Sequence, residues 1–299
     1  MTDEDTGPTD EDTGFRPSTT AALAVSVGVL GAGLASRRRF ENEISRRVDA
    51  LRSNVDAQVG GRFTPDDLAG LPRPVRRYFD HVLDDGQQYV RSARLRQRGA
   101  FRLGGADAAW RPLVATQYVT TRPPGFVWNA TIDVAPMLSA RVIDLYQRGD
   151  GMLRAKLLGA IPVASAGPDP RMDEGELVRY LAEAVWFPTA LLPTQGVEWT
   201  SVDDRSARAT LTDRGRSATV VFHFDDGNEV ERVTAERYRV EDDSYGAWTG
   251  HFRDYRDRNG LRIPVEADVG WDDDGSYWQA TIVGIDHEFA TDDRSGDVE

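Results

Sequence analysis

Glu176 and Glu183 fall two helical turns apart on one face of an amphipathic stretch, with Tyr180 between them, and Lys156 is the only lysine in the chain. A buried Glu183 beside an ammonium such as Lys156 or a phenol such as Tyr180 is the raw material of acid–base chemistry, and a carboxylate-dependent hydrolase is the reaction class it would serve. Arg179, three residues after Glu176 and four before Glu183, offers the plainer alternative of an ion-paired helix face. No Gly-x-Ser-x-Gly elbow, phosphate loop or dinucleotide fingerprint accompanies these residues, so the balance leans away from catalysis. Zero cysteines exclude disulfides, thiolate catalysis and Cys-ligated zinc, and the dispersed His81, His223, His251 and His287 do not have metal-ligand spacing; no cofactor or metal is expected.

A second group of residues speaks for binding. Trp128, Tyr180, Trp186, Phe187, Trp248, Tyr255, Trp271 and Trp278 are more rings than a filled small barrel requires, and they suit a pocket for a lipid or other apolar molecule. Plain core is the bland account of each ring. The residues expected to contact such a ligand are Trp128, Lys156, Tyr180, Glu183, Trp186 and Tyr255.

The elements that must position them are mostly strands. Leu261, Ile263, Val265, Ala267, Val269 and Trp271 alternate with polar neighbours, the pattern of a half-buried strand, and Ala207 to Leu211 and Ala218 to Phe224 repeat it. Asp213-Arg214-Gly215, Asp226-Gly227-Asn228, Asn259-Gly260 and Asp274-Gly275 are hairpin turns between the runs. Earlier strands are expected at Val90 to Leu103, Val114 to Thr121, Phe126 to Val134, Ala140 to Gln147 and Met152 to Leu158. Roughly a dozen antiparallel strands curl or close. Two helical stretches interrupt them, one opened by Thr64 and Pro65 and divided by Pro72 and Pro74, the other from Asp173 to about Trp186. The fold class is therefore α+β: a large curled, mostly antiparallel sheet, or half-barrel, with packing helices.

The N-terminus adds a membrane expectation. Thr19 to Ser36 is uncharged, and its three leucines and Val25, Val27 and Val29 together favour insertion by about 2 to 4 kcal/mol before Ser26 and the glycines subtract from it. The run reads as one transmembrane helix, and Arg37-Arg38-Arg39 after it place the globular domain on the cytoplasmic side of the cell membrane. The domain plan is a disordered acidic tail at 1–18, the transmembrane helix at 19–36, a juxtamembrane helix and linker at 37–62, a β-rich body at 63–289 and a disordered end at 290–299. Phe40, Ile44, Val48, Leu51 and Val55 keep helical spacing, so the anchor should continue as a helix.

With 36 Lys+Arg against 49 Asp+Glu the net charge is −13, an acidity suited to solubility in brine and a halophilic habitat. No basic patch of the size a nucleic acid needs is present. Arg94, Arg96, Arg98 and Arg102 share one face of a strand; they could engage headgroups or an acidic partner, which would make the protein a membrane-associated interaction scaffold, or pair with carboxylates across the sheet.

The runs from Leu71 to Phe79, Gly125 to Trp128 and Arg179 to Pro193, with Asp254-Tyr255-Arg256 and Gly260 to Pro264, resemble a family of uncharacterised bacterial and archaeal proteins known only as a domain of unknown function. The resemblance spans about Thr64 to Phe289, is sharpest at Trp186-Phe187-Pro188, and implies no activity. It implies an N-terminal membrane helix in many members. In architecture alone, a curled sheet with helices in its concave side is similar to the LolA-like and LppX-like lipoprotein carriers, which hold acyl chains.

Overall fold

The computed structural model describes residues 19–55 and 60–290, with the side chains of the first helix described from Ala35 onward. The acidic tail and the final nine residues, whose disorder the sequence suggests, lie outside the described residues.

Among the described residues thirteen strands form a single antiparallel sheet: β1 (Val90–Arg102), β2 (Trp110–Thr120), β3 (Gly125–Ala135), β4 (Leu138–Gln147), β5 (Asp150–Leu157), β6 (Ile161–Ala166), β7 (Val197–Ser201), β8 (Ser206–Asp213), β9 (Arg216–Phe224), β10 (Val230–Arg239), β11 (Ser244–Arg258), β12 (Leu261–Trp271) and β13 (Gly275–Phe289). β1 to β6 make one meander and β7 to β13 a second. The first and last strands join them, with Leu95 opposite Ile285, so the edges are β6 and β7. The turns Arg214-Gly215 and Asn259-Gly260 hold both residues at positive φ, the backbone whose twist matches that of two flanking strands.

Among the described residues three α-helices dress this sheet: α1 (Thr19–Ser53), α2 (Arg73–Val82) and α3 (Pro170–Glu183). α3 links the two edge strands through three short 3-10 turns and occupies the concave side. Asp169 caps it, accepting from the backbone N–H of Arg171 and Met172, with Pro170 in the first turn. Asp173 then straddles the two arms of the curled sheet, accepting from Gly151 N on β5 at 2.8 Å and pairing with Arg216 on β9 at 3.4 Å. Tyr146 on β4 closes the same gap by donating to Asp213 on β8 at 2.8 Å. α2 adds Val75, Tyr78, Phe79 and Val82 to the concave core.

α1 takes the convex side. Its backbone is continuous from the uncharged run into the region beyond Arg39, as the spacing of apolar residues suggests. It does not stand free in water: Phe40, Ile44, Val48 and Leu51 are buried against Val127, Ile143, Leu145 and Met152. Arg154–Glu43 at 2.6 Å and Arg141–Glu41 at 3.7 Å flank that contact. The helix stops at Ser53, short of Gly60-Gly61; Leu51 reaches the start of β3, where it abuts Gly125, and Arg52 stands over the Tyr118 ring on β2. Among the described residues no helix is long and apolar enough to cross a membrane. The side chains that carry most of the expected span lie outside the described residues.

Candidate functional site: a buried polar network under α3

Among the described residues the concave face is packed with buried apolar side chains. Leu177, Leu181, Val185, Trp186 and Phe187 fill the space between α3, its following turns and the sheet, with Trp186 1% exposed. Two open clefts, of about 460 and 410 Å³, lie elsewhere, the first between α1 and the β4–β5 turn and the second on β9 to β11; neither is lined by an α3 residue.

In the middle of the α3 contact the sequence places charges where apolar side chains would pack. Arg179 donates to Asp144 on β4 at 2.5 Å and to Glu183, one turn ahead on its own helix, at 2.8 Å. Its guanidinium lies 4.7 Å from the centre of the Phe126 ring and 5.2 Å from that of Trp128, so aromatic faces supply part of its solvation. Gln117 carries the network onward, donating to Glu183 at 2.5 Å and accepting from Gln97 at 3.1 Å. Trp128 completes this arm by donating its indole N–H to Gln97 at 2.8 Å.

A second arm begins at Glu176. Arg237 on β10 donates to it at 2.8 Å and to Gly175 O at 2.9 Å, and stands over the Trp248 ring. Tyr277 accepts from both Arg237 and Trp248. The two arms meet at Arg179 Nη1, which is 2.5 Å from Asp144 Oδ2 and 4.0 Å from Glu176 Oε2. Asp144 Oδ1 and Glu176 Oε2 are buried with no hydrogen-bond partner among the described residues.

Three carboxyls thus face two guanidiniums. Burial and the neighbouring Asp144 charge push the Glu176 carboxyl up to about 8, and burial likewise raises Asp144 against the pull of Arg179. A proton kept on Glu176 near neutral pH brings the network to charge balance. The arrangement can store a proton in a dry site and can tie a helix to both arms of a sheet.

Trp128 and Glu183 are brought into this network. Tyr180 packs on Phe187 and donates to Thr121 O at 3.4 Å, Trp186 donates to Pro264 O at 3.1 Å, and Tyr255 donates to Val230 O at 3.0 Å; all three are buried in the surrounding core. Lys156 is on the other side of the sheet. β5 alternates so that Met152, Arg154 and Lys156 face α1, and the ammonium lies 5.0 Å from the Phe40 ring centre. It is therefore not a neighbour of Glu183. Asp144, Arg237, Gln97, Gln117 and Tyr277 are the members that sequence reasoning passed over. Of the arginine stripe on β1, Arg96 pairs with Asp286 across the sheet at 3.1 Å, while Arg94 and Arg102 stand over Tyr118 and Trp110.

A curled antiparallel half-barrel with α2 and α3 in the concavity and α1 on the convex face is the class of architecture. Solved structures similar to this chain include a DUF1329 family protein from Desulfovibrio piger, at 11% identity and a TM-score of 0.38, covering 68% of this chain and 88% of that one. A putative outer membrane lipoprotein-sorting protein domain from Vibrio parahaemolyticus is similar at 9% identity and a TM-score of 0.35, over 68% and 87% of the two chains. The LolA superfamily protein NE2245 from Nitrosomonas europaea matches at 12% identity and a TM-score of 0.35, over 74% and 92%. No curated protein matches the chain. Residues 61–281 match the family of unknown function DUF6544, and the chain belongs to that family.

Proposed function

We propose that the protein is tethered to the membrane by Thr19 to Ser36 and binds a lipid or other hydrophobic molecule on the concave face of its half-barrel, α3 being the element the ligand displaces. The observation that carries this reading is the chemistry of the α3 contact. Phe126, Trp128 and Trp248 form an aromatic lining, and what α3 and β10 set against it are the guanidiniums of Arg179 and Arg237. Buried ion pairs return little more than the desolvation they cost, whereas an apolar seam of the same area would be firmly favourable. The centre of the α3 contact is thus the weakest part of the core, and it overlies the rings an acyl chain would touch. The uncharged run keeps the domain beside a supply of lipid.

Titrating delipidated full-length protein with a fluorescent fatty acid tests the reading. Saturable binding that quenches tryptophan emission and weakens in Trp128→Ala is expected. Protein that retains no native lipid on purification and binds no probe sinks it.

Carboxylate-dependent hydrolysis is a second reading, favoured by one arrangement: the buried Glu176, its carboxyl pushed up by burial and the Asp144 charge, keeps Oε2 without a hydrogen-bond partner among the described residues. Ester turnover lost in Glu176→Gln with the fold intact would support it; ester turnover equal in the two proteins removes it.

A further inference from the structure

α1 leaves the body at a particular place. Ser36 donates to Ala160 O at 3.4 Å and Arg37 abuts Gly159, so the helix departs beside the β5–β6 turn. Leu158 N donates to Ser139 O at 2.7 Å, which sets the β3–β4 turn next to that one. Both turns present apolar side chains to solvent: Met137 is wholly exposed, and Leu158, Ile161 and Val163 are about half exposed.

The chain from Leu157 to Pro168 carries no charge, and neither does Val134 to Ala140, in a protein of net charge −13. Further along the same margin of the sheet the turns of the second meander are the reverse, with Glu241-Asp242-Asp243 between β10 and β11 and Asp272-Asp273-Asp274 between β12 and β13. Isolated exposed apolar residues need no explanation, but a contiguous uncharged corner where two hairpin turns meet on an acidic protein does. Immediately above this rim stand the exposed Arg37, Arg38 and Arg39, and from Ser36 back to Thr19 the helix rises about 27 Å, close to the hydrocarbon thickness of a bilayer.

We propose that this corner of the half-barrel, formed by the β3–β4 and β5–β6 turns and the edge strand β6, lies on the bilayer surface with Met137, Leu158, Ile161 and Val163 entering the lipid interface. The inference rests on the tether reading and adds to it the face that the domain turns to lipid. A lipid surface is favoured over strand addition by a second protein for two reasons. Pro162 interrupts the donor row of β6, and the wholly exposed Met137 belongs to a different hairpin, which an added strand would not cover. Seating the rim in this way sets the cationic triplet at the headgroups.

The cysteine-free chain makes the test direct. Single cysteines at Met137→Cys, Leu158→Cys and Val163→Cys, with Arg148→Cys and Asp226→Cys at the opposite margin of the sheet as controls, carry an environment-sensitive fluorophore on full-length protein reconstituted in vesicles of equal phosphatidylcholine and phosphatidylglycerol. At the three rim positions we expect a blue shift and at least about twofold quenching by lipids bearing a nitroxide near the headgroup, the depth of about 5–10 Å that interfacial apolar groups reach. Neither effect is expected at the controls. Protein that floats with the vesicles but leaves the rim probes unshifted and unquenched overturns the rim and leaves the tether standing. A blue shift without lipid quenching means that a second copy covers the rim, and overturns the proposal too. Protein that stays in the aqueous fraction overturns rim and tether together.

Discussion

Arg237 reaches from β10 to donate through Nη2 to Glu176 Oε1 at 2.8 Å, yet the carboxyl it serves is one that burial keeps protonated up to about pH 8. Near neutral pH the pair is thus chiefly a hydrogen bond from a guanidinium to a neutral acid, and it gains its second charge as pH rises through about 8.

This pair gives a pH dependence of definite sign. With its folded value raised from 4.5 to about 8, Glu176 binds a proton in the folded protein where the unfolded chain has already released it. Stability contributed by this group is complete below about pH 4.5 and is lost as pH rises towards 8. Thermal midpoints of the wild type should fall across that window, and Glu176→Gln, which is neutral throughout, should flatten the profile. Parallel profiles for the two proteins would refute the assignment.

Arg179 neutralises carboxyls from two elements, so its removal strands both Asp144 and Glu183 in the interior. Arg179→Met should cost about 3–5 kcal/mol in urea unfolding. Adding Asp144→Leu should recover a substantial part of the loss, because the charge left without a partner is then gone as well. A single variant as stable as the wild type would show that the network is open to water.

Phe40 anchors α1 to the convex face beneath Lys156. Phe40→Ala should cost about 3 kcal/mol and raise amide exchange from Ile44 through Leu51. If exchange in that stretch is the same with and without the ring, the helix is not held by this contact.

Much of the sheet could be read directly from residue order. β12 shows its two-residue rhythm from Leu261 to Trp271, and the starts and ends read for β1 to β5 fall within about four residues of those observed. β6 escaped because Ile161 to Ala166 lacks polar alternation and contains Pro162, both proper to an exposed edge. The site was legible only on its helix. Glu176, Arg179 and Glu183 are spaced to meet one another, but Asp144 lies between Ile143 and Leu145, and that triplet reads as a strand with a wet side. α1 covers the side that holds Ile143 and Leu145, so both faces of β4 are dry and the polar residue points inward. Lys156 misled for the same reason: rarity of type marks a residue, but the parity of its strand decides which face it occupies.

The pairing of β1 with β13 has a consequence for how the molecule comes into being. Every other ladder joins neighbours in the chain and closes over a short turn, whereas this one waits for the last strand to leave the ribosome. Until then the nascent protein holds a half-sheet with a long open margin along Val90 to Arg102, and a chaperone that guards this margin during synthesis would protect the step on which assembly hinges.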